Sequence, residues 1–254
     1  MQRLLVKEEG PVTRLALNQP ERRNPLGLEM MEELVEALTN LSAESRVVVI
    51  SGEGPAFSAG HDLKELVGAE QDFLERVFAK CTLMMESVQA VPQPVIARVH
   101  GVATAAGCQL VAACDLAVAG QSAQFATPGV NIGLFCSTPM VPLTRAVGRK
   151  RAMQMLLTGE LIDAETAADW GLVNQVVPDD RLDDAVDHLV DAILRSSKTV
   201  VGLGKRTFYE QIDLDQHRAY EHTKQVMVSN ARLDDAQEGM SAFLEKRKPE
   251  WRSS

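Results

Sequence analysis

Two glycine-containing loops hold the residues whose types and spacing could support chemistry. One runs from Gly52 to Lys64 and the other from His100 to Gln109, and each follows an apolar run typical of a buried strand. Ligands of α/β domains gather where such strands end. Small residues let backbone N–H groups approach a ligand, and two N–H groups aimed at one oxygen would form an oxyanion hole. Loops of this kind also occur as simple turns, so both interpretations stay open at this point.

The motifs of several common enzyme classes are absent. The sequence has no H-E-x-x-H, no G-x-S-x-G, no paired C-x-x-C and no G-x-G-x-x-G after a strand. Residues 199–206 miss a phosphate-binding loop at two positions and predict a helix instead. No His lies at a zinc-site spacing from a cysteine, so no metal site is expected. The four cysteines are Cys81, Cys108, Cys114 and Cys136.

The elements that must position the two loops alternate between strands and helices. This order favours parallel pairing with right-handed crossovers, and the segment 51–68 is expected to be an irregular loop. Apolar runs predict strands over 4–8, 12–18, 47–50, 95–99, 116–119 and 124–126, with a further short one possible over 172–176. Helical spacing predicts helices over 27–42, 71–89, 101–113, 138–147, 149–157, 164–169, 181–196, 199–211, 215–229 and 234–246.

The composition is that of a globular protein with an acidic surface. With 254 residues and 45% hydrophobic content, the chain is long enough to bury a sizeable core. Its formal net charge of -9 disfavours nucleic acid and anionic lipid as partners. A polyanionic ligand would need a local basic patch, for which the densest candidates are Arg22–Arg23 and Lys246–Lys248. No apolar run is long enough for a signal peptide or a membrane span, and we expect a reduced, cytoplasmic protein.

Beyond these patterns, a series of short motifs resembles the enoyl-CoA hydratase/isomerase, or crotonase, superfamily along nearly the whole chain. A finer resemblance, carried by Ala103–Gln109 and Gly133–Pro139, is to the enoyl-CoA hydratase domain-containing protein 3 group. Each motif is weak alone, but their order and spacing together are specific. The motifs lie at 57–64, 100–110, 114–115, 125–128, 143–148, 157–159, 167–173 and 243–249.

The resemblance implies a fold and an oligomer. The fold is an α/β spiral of ββα units over residues 1–197, followed by a C-terminal helical region over residues 198–254 that forms trimers or dimers of trimers. This expectation agrees with the order of strands and helices read from the apolar pattern. A homo-oligomer that binds an acyl-CoA thioester is therefore expected.

The resemblance also implies a site. The thioester carbonyl would lie between the backbone N–H groups of His61 and Ala106, which would stabilise an enolate-like oxyanion. Coenzyme A enters as part of the substrate, and no covalently bound cofactor is expected. The resemblance implies that coenzyme A lies along Arg23, Leu26, Ala59 and Lys64. Phe243 and Lys246, either from the same chain or from a neighbouring subunit, would lie over its nucleotide end.

The sequence departs from the family at the two residues that do acid-base chemistry in hydratases. Those enzymes use two glutamates to activate water and to protonate the α-carbon. Here the corresponding positions are Gln109 and Gly129. An amide has no useful proton to lose and glycine has no side chain, so efficient two-glutamate hydration is not expected.

Other groups are candidates for an acid or a base. Cys136 lies in a stretch that lines the acyl pocket of family members, although buried cysteines are often inert. His61 follows Ser-Ala-Gly, as in methylmalonyl-CoA decarboxylases of the family, whose tyrosine near the Cys136 position is missing here. Glu86 and Asp72 could also reach the site. The corresponding family aspartates are mainly structural, which gives Asp62 and Asp115 the role of holding loop ends.

Three functional hypotheses follow. The chain is an enzyme with weak or altered hydratase or isomerase activity, a decarboxylase-like lyase, or a catalytically silent acyl-CoA-binding protein. The silent binder predicts intact oxyanion and coenzyme A loops with no titrating group near the reacting carbons. An enzyme predicts that a group such as Cys136 or His61 reaches them.

Overall fold

The fold was analysed in a computed structural model that describes residues 2–252. Ten strands and eleven helices lie within this part of the chain. The strands are β1 (Leu4–Glu9), β2 (Val12–Leu17), β3 (Val47–Gly52), β4 (Ala56–Ser58), β5 (Val95–Val99), β6 (Val102–Thr104), β7 (Leu116–Gly120), β8 (Gln124–Ala126), β9 (Ile162–Asp163) and β10 (Gln175–Val177). The helices are α1 (Leu28–Thr39), α2 (Leu63–Leu66), α3 (Gln71–Ala90), α4 (Ala106–Ala113), α5 (Met140–Ala146), α6 (Arg149–Thr158), α7 (Ala164–Trp170), α8 (Leu182–Leu194), α9 (Lys198–Gln211), α10 (Gln216–Ala231) and α11 (Asp234–Glu245).

Two sheets are built by one repeating unit. The larger sheet has the order β1-β2-β3-β5-β7-β10 and is parallel except for the β1–β2 hairpin. The smaller sheet has the order β4-β6-β8-β9, in which the first three strands are parallel and β9 is antiparallel. Three strands of the larger sheet, β3, β5 and β7, are each followed by a short strand of the smaller sheet and then by a helix. This repetition is the spiral of ββα units expected from the sequence.

The core lies on both faces of the larger sheet. On one face, Leu15, Ile50 and Phe57 belong to a large apolar cluster that also includes buried residues of α1, α3 and α4. On the other face, strand residues such as Val49 pack against Val186 and its neighbours on α8. Both faces of this parallel sheet are covered, so side chains that point to either face are buried. The strands are therefore continuous apolar runs in the sequence.

A buried ion pair connects the core to the C-terminal helices. Lys205 of α9 bonds to Asp115 at 2.7 Å and donates to the carbonyl oxygens of Val88 and Gln93. Asp115 also accepts hydrogen bonds from the Val95 backbone N–H and the Tyr209 hydroxyl. Burial raises the pKa of Tyr209, so its hydroxyl stays a donor. These contacts confirm that Asp115 holds elements together.

The remaining surface of α9, α10 and α11 exposes many large apolar side chains. Phe243 is 82% exposed and Leu244 is 80% exposed, which is unusual for residues of this size on an amphipathic helix. No side chain of α10 is buried. The others of this set on the three helices are Phe208, Tyr220, Met227, Val228 and Met240, and Ile212 and Leu214 are exposed in the connection between α9 and α10.

Most predicted elements are confirmed to within a few residues, and the corrections concern short ones. The segment 101–113 is not helical throughout, because Val102–Thr104 forms β6 between β4 and β8. The segment 51–68 is not irregular, since it contains β4 and α2. The short strand expected over 172–176 is β10, three residues long, at 175–177. Elements of three or four residues are too short to show a hydrophobic period. The division at residue 197 stays a prediction, and α9 begins at Lys198.

Candidate acyl-thioester site

A cavity of about 820 Å³ opens where β4 and β6 end. One side, which we call the donor wall, consists of Ala59–His61 and Ala105–Ala106. The opposite side, the loop wall, consists of Gly129–Pro139. Phe78 of α3, Arg22 and Lys64 also line the cavity. A volume of this size is in the range that holds a drug-sized ligand.

The donor wall is held by close packing of its two loops. Gly60 has φ +91°, and a Cβ placed there would lie 2.8 Å from the Ala105 Cβ and 3.1 Å from the Ala106 nitrogen. Only glycine fits this contact, which places the residue before His61 against the start of α4. The two loops predicted from the sequence therefore meet at one point.

Ala105 is strained in a way that orients the next N–H group. It has φ 50° and ψ −118°, a conformation that an L-residue with a side chain adopts only at a cost. The turn makes Ala106 the first residue of α4, whose N–H has no partner within the helix. Within residues 2–252 neither the Ala106 nor the His61 backbone N–H donates a hydrogen bond. Two unused donors therefore lie beside each other on one wall.

The His61 side chain is held as a neutral imidazole. Its Nδ1 lies 3.1 Å from the Leu26 carbonyl oxygen, which can only accept, so Nδ1 carries the proton. Its ring packs edge-on against Phe78 with centroids 5.4 Å apart. Burial lowers the pKa of His61, against the opposing effects of the Leu26 hydrogen bond and of Glu65. The side chain therefore fixes the loop through Leu26 and leaves Nε2 as a buried acceptor without a partner.

The loop wall fills the space where a side chain at position 129 would lie. A Cβ placed at Gly129 would overlap the Leu134 carbonyl oxygen and would lie 2.9 Å from Cys136 Sγ. The Leu134 N–H also donates to the Gly129 carbonyl oxygen at 2.9 Å. The loop thus folds back over Gly129, and its thiol lies where a glutamate side chain would begin.

The Cys136 side chain lines the cavity and is 6% exposed. Burial raises the pKa of this thiol, whereas the Gly129 backbone N–H, which hydrogen-bonds to the sulphur, lowers it. The net direction is upward, so the group is a neutral thiol at pH 7. It can donate a proton, but it is not a thiolate nucleophile.

Gln109 lies one helical turn beyond Ala106 and is 3% exposed. Its Oε1 accepts a hydrogen bond from Cys81 of α3 at 3.7 Å. Burial raises the pKa of Cys81 to about 12, which keeps this thiol a donor. Gln109 is therefore engaged by the neighbouring helix below the cavity lining.

The carboxylates considered as replacement bases do not approach the cavity. Asp72 and Glu86 are exposed on α3, and neither lines the cavity. Asp62 does line it, but pairs with Arg22 at 2.5 Å and caps α2 by accepting from the Lys64 N–H at 3.1 Å. Asp62 therefore holds a loop end, as expected.

The residues predicted to bind coenzyme A separate into two groups. Ala59 and Lys64 line the cavity. The Arg23 carbonyl oxygen accepts a hydrogen bond from the Ala59 N–H, and Leu26 is fully buried. Phe243 and Lys246 lie at the end of α11, which contacts α9 and α10. Their place over the nucleotide, from the same chain or from a neighbouring subunit, stays a prediction.

Phe78 and Ile132 are cavity residues that the sequence reasoning missed. Phe78 lies in the middle of a long amphipathic helix, where an aromatic residue is ordinarily read as core. Ile132 is 61% exposed in a loop without a periodic pattern. Neither residue carries a signal that separates it from packing or surface residues.

The fold is an α/β spiral with a cavity at the donor wall, and sequence comparison identifies the family. The sequence model described as enoyl-CoA hydratase/isomerase matches residues 7–254, so the chain belongs to the enoyl-CoA hydratase/isomerase family. More particularly, it is 50% identical over 250 residues to the enoyl-CoA hydratase domain-containing protein 3, mitochondrial, of Danio rerio. That match covers 97% of this chain and 86% of the relative.

Solved structures agree in fold. A crystal structure described as enoyl-CoA hydratase from Mycobacterium smegmatis has a TM-score of 0.97 and 48% identity, covering 99% of both chains. Human enoyl coenzyme A hydratase domain-containing protein 3 has a TM-score of 0.96 and 47% identity, covering 98% of this chain and all of the other. The expected crotonase-type spiral, including its C-terminal helices, is confirmed.

The expected cytoplasmic location is wrong. Relatives from Danio rerio, rat and human carry the word mitochondrial in their names and point to mitochondria. Unpaired cysteines exclude only oxidising compartments, so they could not separate one reducing compartment from another. Among the described residues, no helix is long and apolar enough to cross a membrane.

Proposed function

We propose that this chain binds an acyl-CoA thioester and polarises its carbonyl, without efficient two-glutamate hydration. The observation that carries the proposal is the pair of unused backbone donors, His61 N–H and Ala106 N–H, on one wall of the cavity. Two such donors stabilise the oxyanion that develops when a thioester becomes enolate-like. Nothing on the donor wall depends on a side chain that the sequence has lost.

Coenzyme A would lie along the loop that carries Arg23, Leu26, Ala59 and Lys64. Lys64 is exposed at the cavity edge, where an ammonium group can meet a phosphate. Arg22 is partly neutralised by Asp62. The nucleotide end would then reach Phe243 and Lys246 of a neighbouring subunit in a trimer or a dimer of trimers.

The exposed apolar side chains of α9, α10 and α11 support this oligomer, because a monomer rarely exposes so many. Phe243→Ser combined with Leu244→Ser should lower the mass in light scattering after gel filtration. Val67→Ser, at an equally exposed position just after α2, is the control and should leave the mass unchanged. A wild-type monomer would contradict the oligomer.

The reaction that follows carbonyl polarisation depends on Cys136. Loss of carbon dioxide from an acyl-CoA leaves an enolate, and a neutral thiol beside Gly129 can protonate it and regain its proton from water, so weak lyase-like turnover is compatible with the site. The alternative is a silent binder, in which Cys136 only fills space. Incubation with crotonyl-, hexenoyl-, dienoyl- and methylmalonyl-CoA, followed by mass spectrometry, separates the two. Hydration at an ordinary hydratase rate would contradict the proposal.

Infrared difference spectroscopy tests the carbonyl polarisation directly. Octanoyl-CoA labelled with ¹³C at the thioester carbonyl is titrated into the protein, and free coenzyme A is the matched ligand. A bound carbonyl between two N–H donors should absorb at lower frequency than the free thioester. Binding without a frequency change would contradict the oxyanion hole. Absence of binding would contradict the proposed function as a whole.

A further inference from the structure

Two polar side chains on the loop wall have no hydrogen-bond partner. Asn131 and Thr138 both line the cavity, and within residues 2–252 neither side chain makes a hydrogen bond. Threonines on the two helices that follow differ, since Thr144 and Thr158 each donate to the carbonyl oxygen four residues earlier. Bonds of this kind to nearby backbone are common for short polar side chains. The loop wall therefore offers an amide and a hydroxyl to a ligand.

Local packing restrains both groups. A Cβ placed at Gly159 would lie 2.6 Å from Asn131 Nδ2, so the amide lies against the glycine that ends α6. Thr138 lies in the turn before α5, where the Val141 N–H donates to its carbonyl oxygen at 3.2 Å. Its β-branched side chain has few rotamers to lose. Groups that are already restrained lose less conformational entropy when a ligand binds.

The polar chemistry of the loop wall is neutral, because none of its residues is ionic. The ionic side chains that line the cavity, Arg22, Asp62 and Lys64, lie beside the positions given to coenzyme A. A hydroxyl on the ligand can accept from an amide N–H and donate to an oxygen. A carboxylate placed against the same wall would lose hydration to neutral partners only.

We propose that the acyl group carries a hydroxyl beyond its β-carbon, and that Asn131 and Thr138 recognise it as specificity-determining residues. The inference rests on the proposed function, which places the thioester carbonyl at the donor wall. Gly129 and Cys136 mark the place of the glutamate that the family resemblance assigns to the reacting carbons. Asn131 and Thr138 each lie two residues further along the chain. An acyl chain that covered this pair without a hydroxyl would leave both groups unpaired, which lowers affinity.

Calorimetric titration of octanoyl-CoA and of each of its monohydroxylated positional isomers tests the inference. One isomer with its hydroxyl beyond the β-carbon should bind about tenfold more tightly than octanoyl-CoA, as two net hydrogen bonds predict. The inference would be overturned if no isomer bound more tightly than octanoyl-CoA, or if the β-hydroxy isomer bound most tightly. Adipyl-CoA that bound more tightly than every isomer would overturn it in favour of a charged acyl group.

Thr138→Val and Asn131→Leu keep roughly the shape of each side chain and remove its hydrogen bonds. Each should lower the preference for the best isomer over octanoyl-CoA about threefold, with little change in octanoyl-CoA affinity. Thr144→Val on α5 is the matched control, because Thr144 does not line the cavity, and it should leave the preference unchanged. A preference that survived both loop-wall variants would overturn the role of the pair.

Gly159→Ala provides a second route to Asn131. The new Cβ would displace the amide without changing it, so the preference should fall as in Asn131→Leu. Free coenzyme A is titrated into the same variants. If Asn131→Leu weakened free coenzyme A as much as the best isomer, the amide would contact coenzyme A and the inference would be overturned. Failure of octanoyl-CoA and of every isomer to bind the wild-type chain would instead overturn the proposed function.

Discussion

The donor wall and the loop wall of the cavity differ in how they supply chemistry. The donor wall offers backbone N–H groups that are placed by Gly60 and by the strained turn at Ala105. The loop wall has Gly129 where the family resemblance implies a carboxylate in hydratases, and the loop itself lies in the space that a side chain there would need. Chemistry supplied by the backbone survives changes of side chain as long as the turns are kept. Chemistry supplied by a side chain is lost with one substitution, and the surrounding loop then closes over the position.

The largest effect is expected from Gly60→Ala on the donor wall. The new Cβ would meet Ala105 and the Ala106 nitrogen at a φ of +91°, so the two loops must separate. The free energy of unfolding should fall by about 3 kcal/mol, and octanoyl-CoA affinity should fall at least tenfold. Urea denaturation and calorimetry measure the two effects.

Gly68→Ala is the control for backbone strain. Gly68 has φ +72°, and a Cβ there meets nothing within 4 Å. Gly68→Ala should lower the free energy of unfolding by about 1 kcal/mol and leave the affinity for octanoyl-CoA unchanged. If both variants bound equally well, the donor wall would not depend on the contact at Gly60.

Gly129→Glu tests the loop wall. Because the new side chain overlaps the Leu134 carbonyl oxygen, the variant should lose about 2 kcal/mol of stability and gain no crotonyl-CoA hydration. Gln109→Glu fits without overlap, so it should lose less stability. The double variant should be no more active than Gln109→Glu alone. A double variant with hydratase-like turnover would show that the loop yields easily.

The pH dependence of stability separates the His61 side chain from its backbone. The folded protein holds the imidazole neutral with a lowered pKa, so the unfolded chain binds more protons as the pH falls through the ordinary value near 6.5. Stability is therefore present above that pH and is lost below it. His61→Gln should remove part of this loss between pH 7 and pH 5.5, while thioester affinity at pH 7 stays within about threefold. If the dependence of stability on pH were unchanged in this variant, a group other than His61 would cause it.

The smallest effect is expected from Lys64→Ala. The side chain is exposed, so its attraction for a phosphate is screened and should be worth less than about 1 kcal/mol. Affinity for octanoyl-CoA should fall up to fivefold at low salt and hardly at all in about 1 M salt. A loss that persisted at high salt would indicate a direct, desolvated contact.

The sequence predicts the long elements and the position of the donor wall, because both leave local patterns. Periodic apolar residues marked α3 and the C-terminal helices, and small residues after two strands marked the loops that meet at Gly60. The loop wall was inaccessible from sequence. The absence of a glutamate at Gly129 can be read directly, but the return of Leu134 and Cys136 over it depends on packing between residues without a period. The Cys81–Gln109 hydrogen bond could not be predicted for the same reason, since the two residues lie 28 positions apart on different helices.

Two partners of Asp115 are made much later than Asp115 itself during synthesis of the chain. The Tyr209 hydroxyl that bonds to Asp115 comes from a residue 94 positions later, and at roughly 5–20 residues per second a ribosome needs about 5–19 seconds to make that stretch. Until then the carboxylate has neither the hydroxyl nor the ammonium of Lys205, and a charge enclosed without a partner is strongly unfavourable. The Asp115 carboxylate therefore gains its full set of partners only after α9 has been made, so the N-terminal spiral cannot complete this junction on its own.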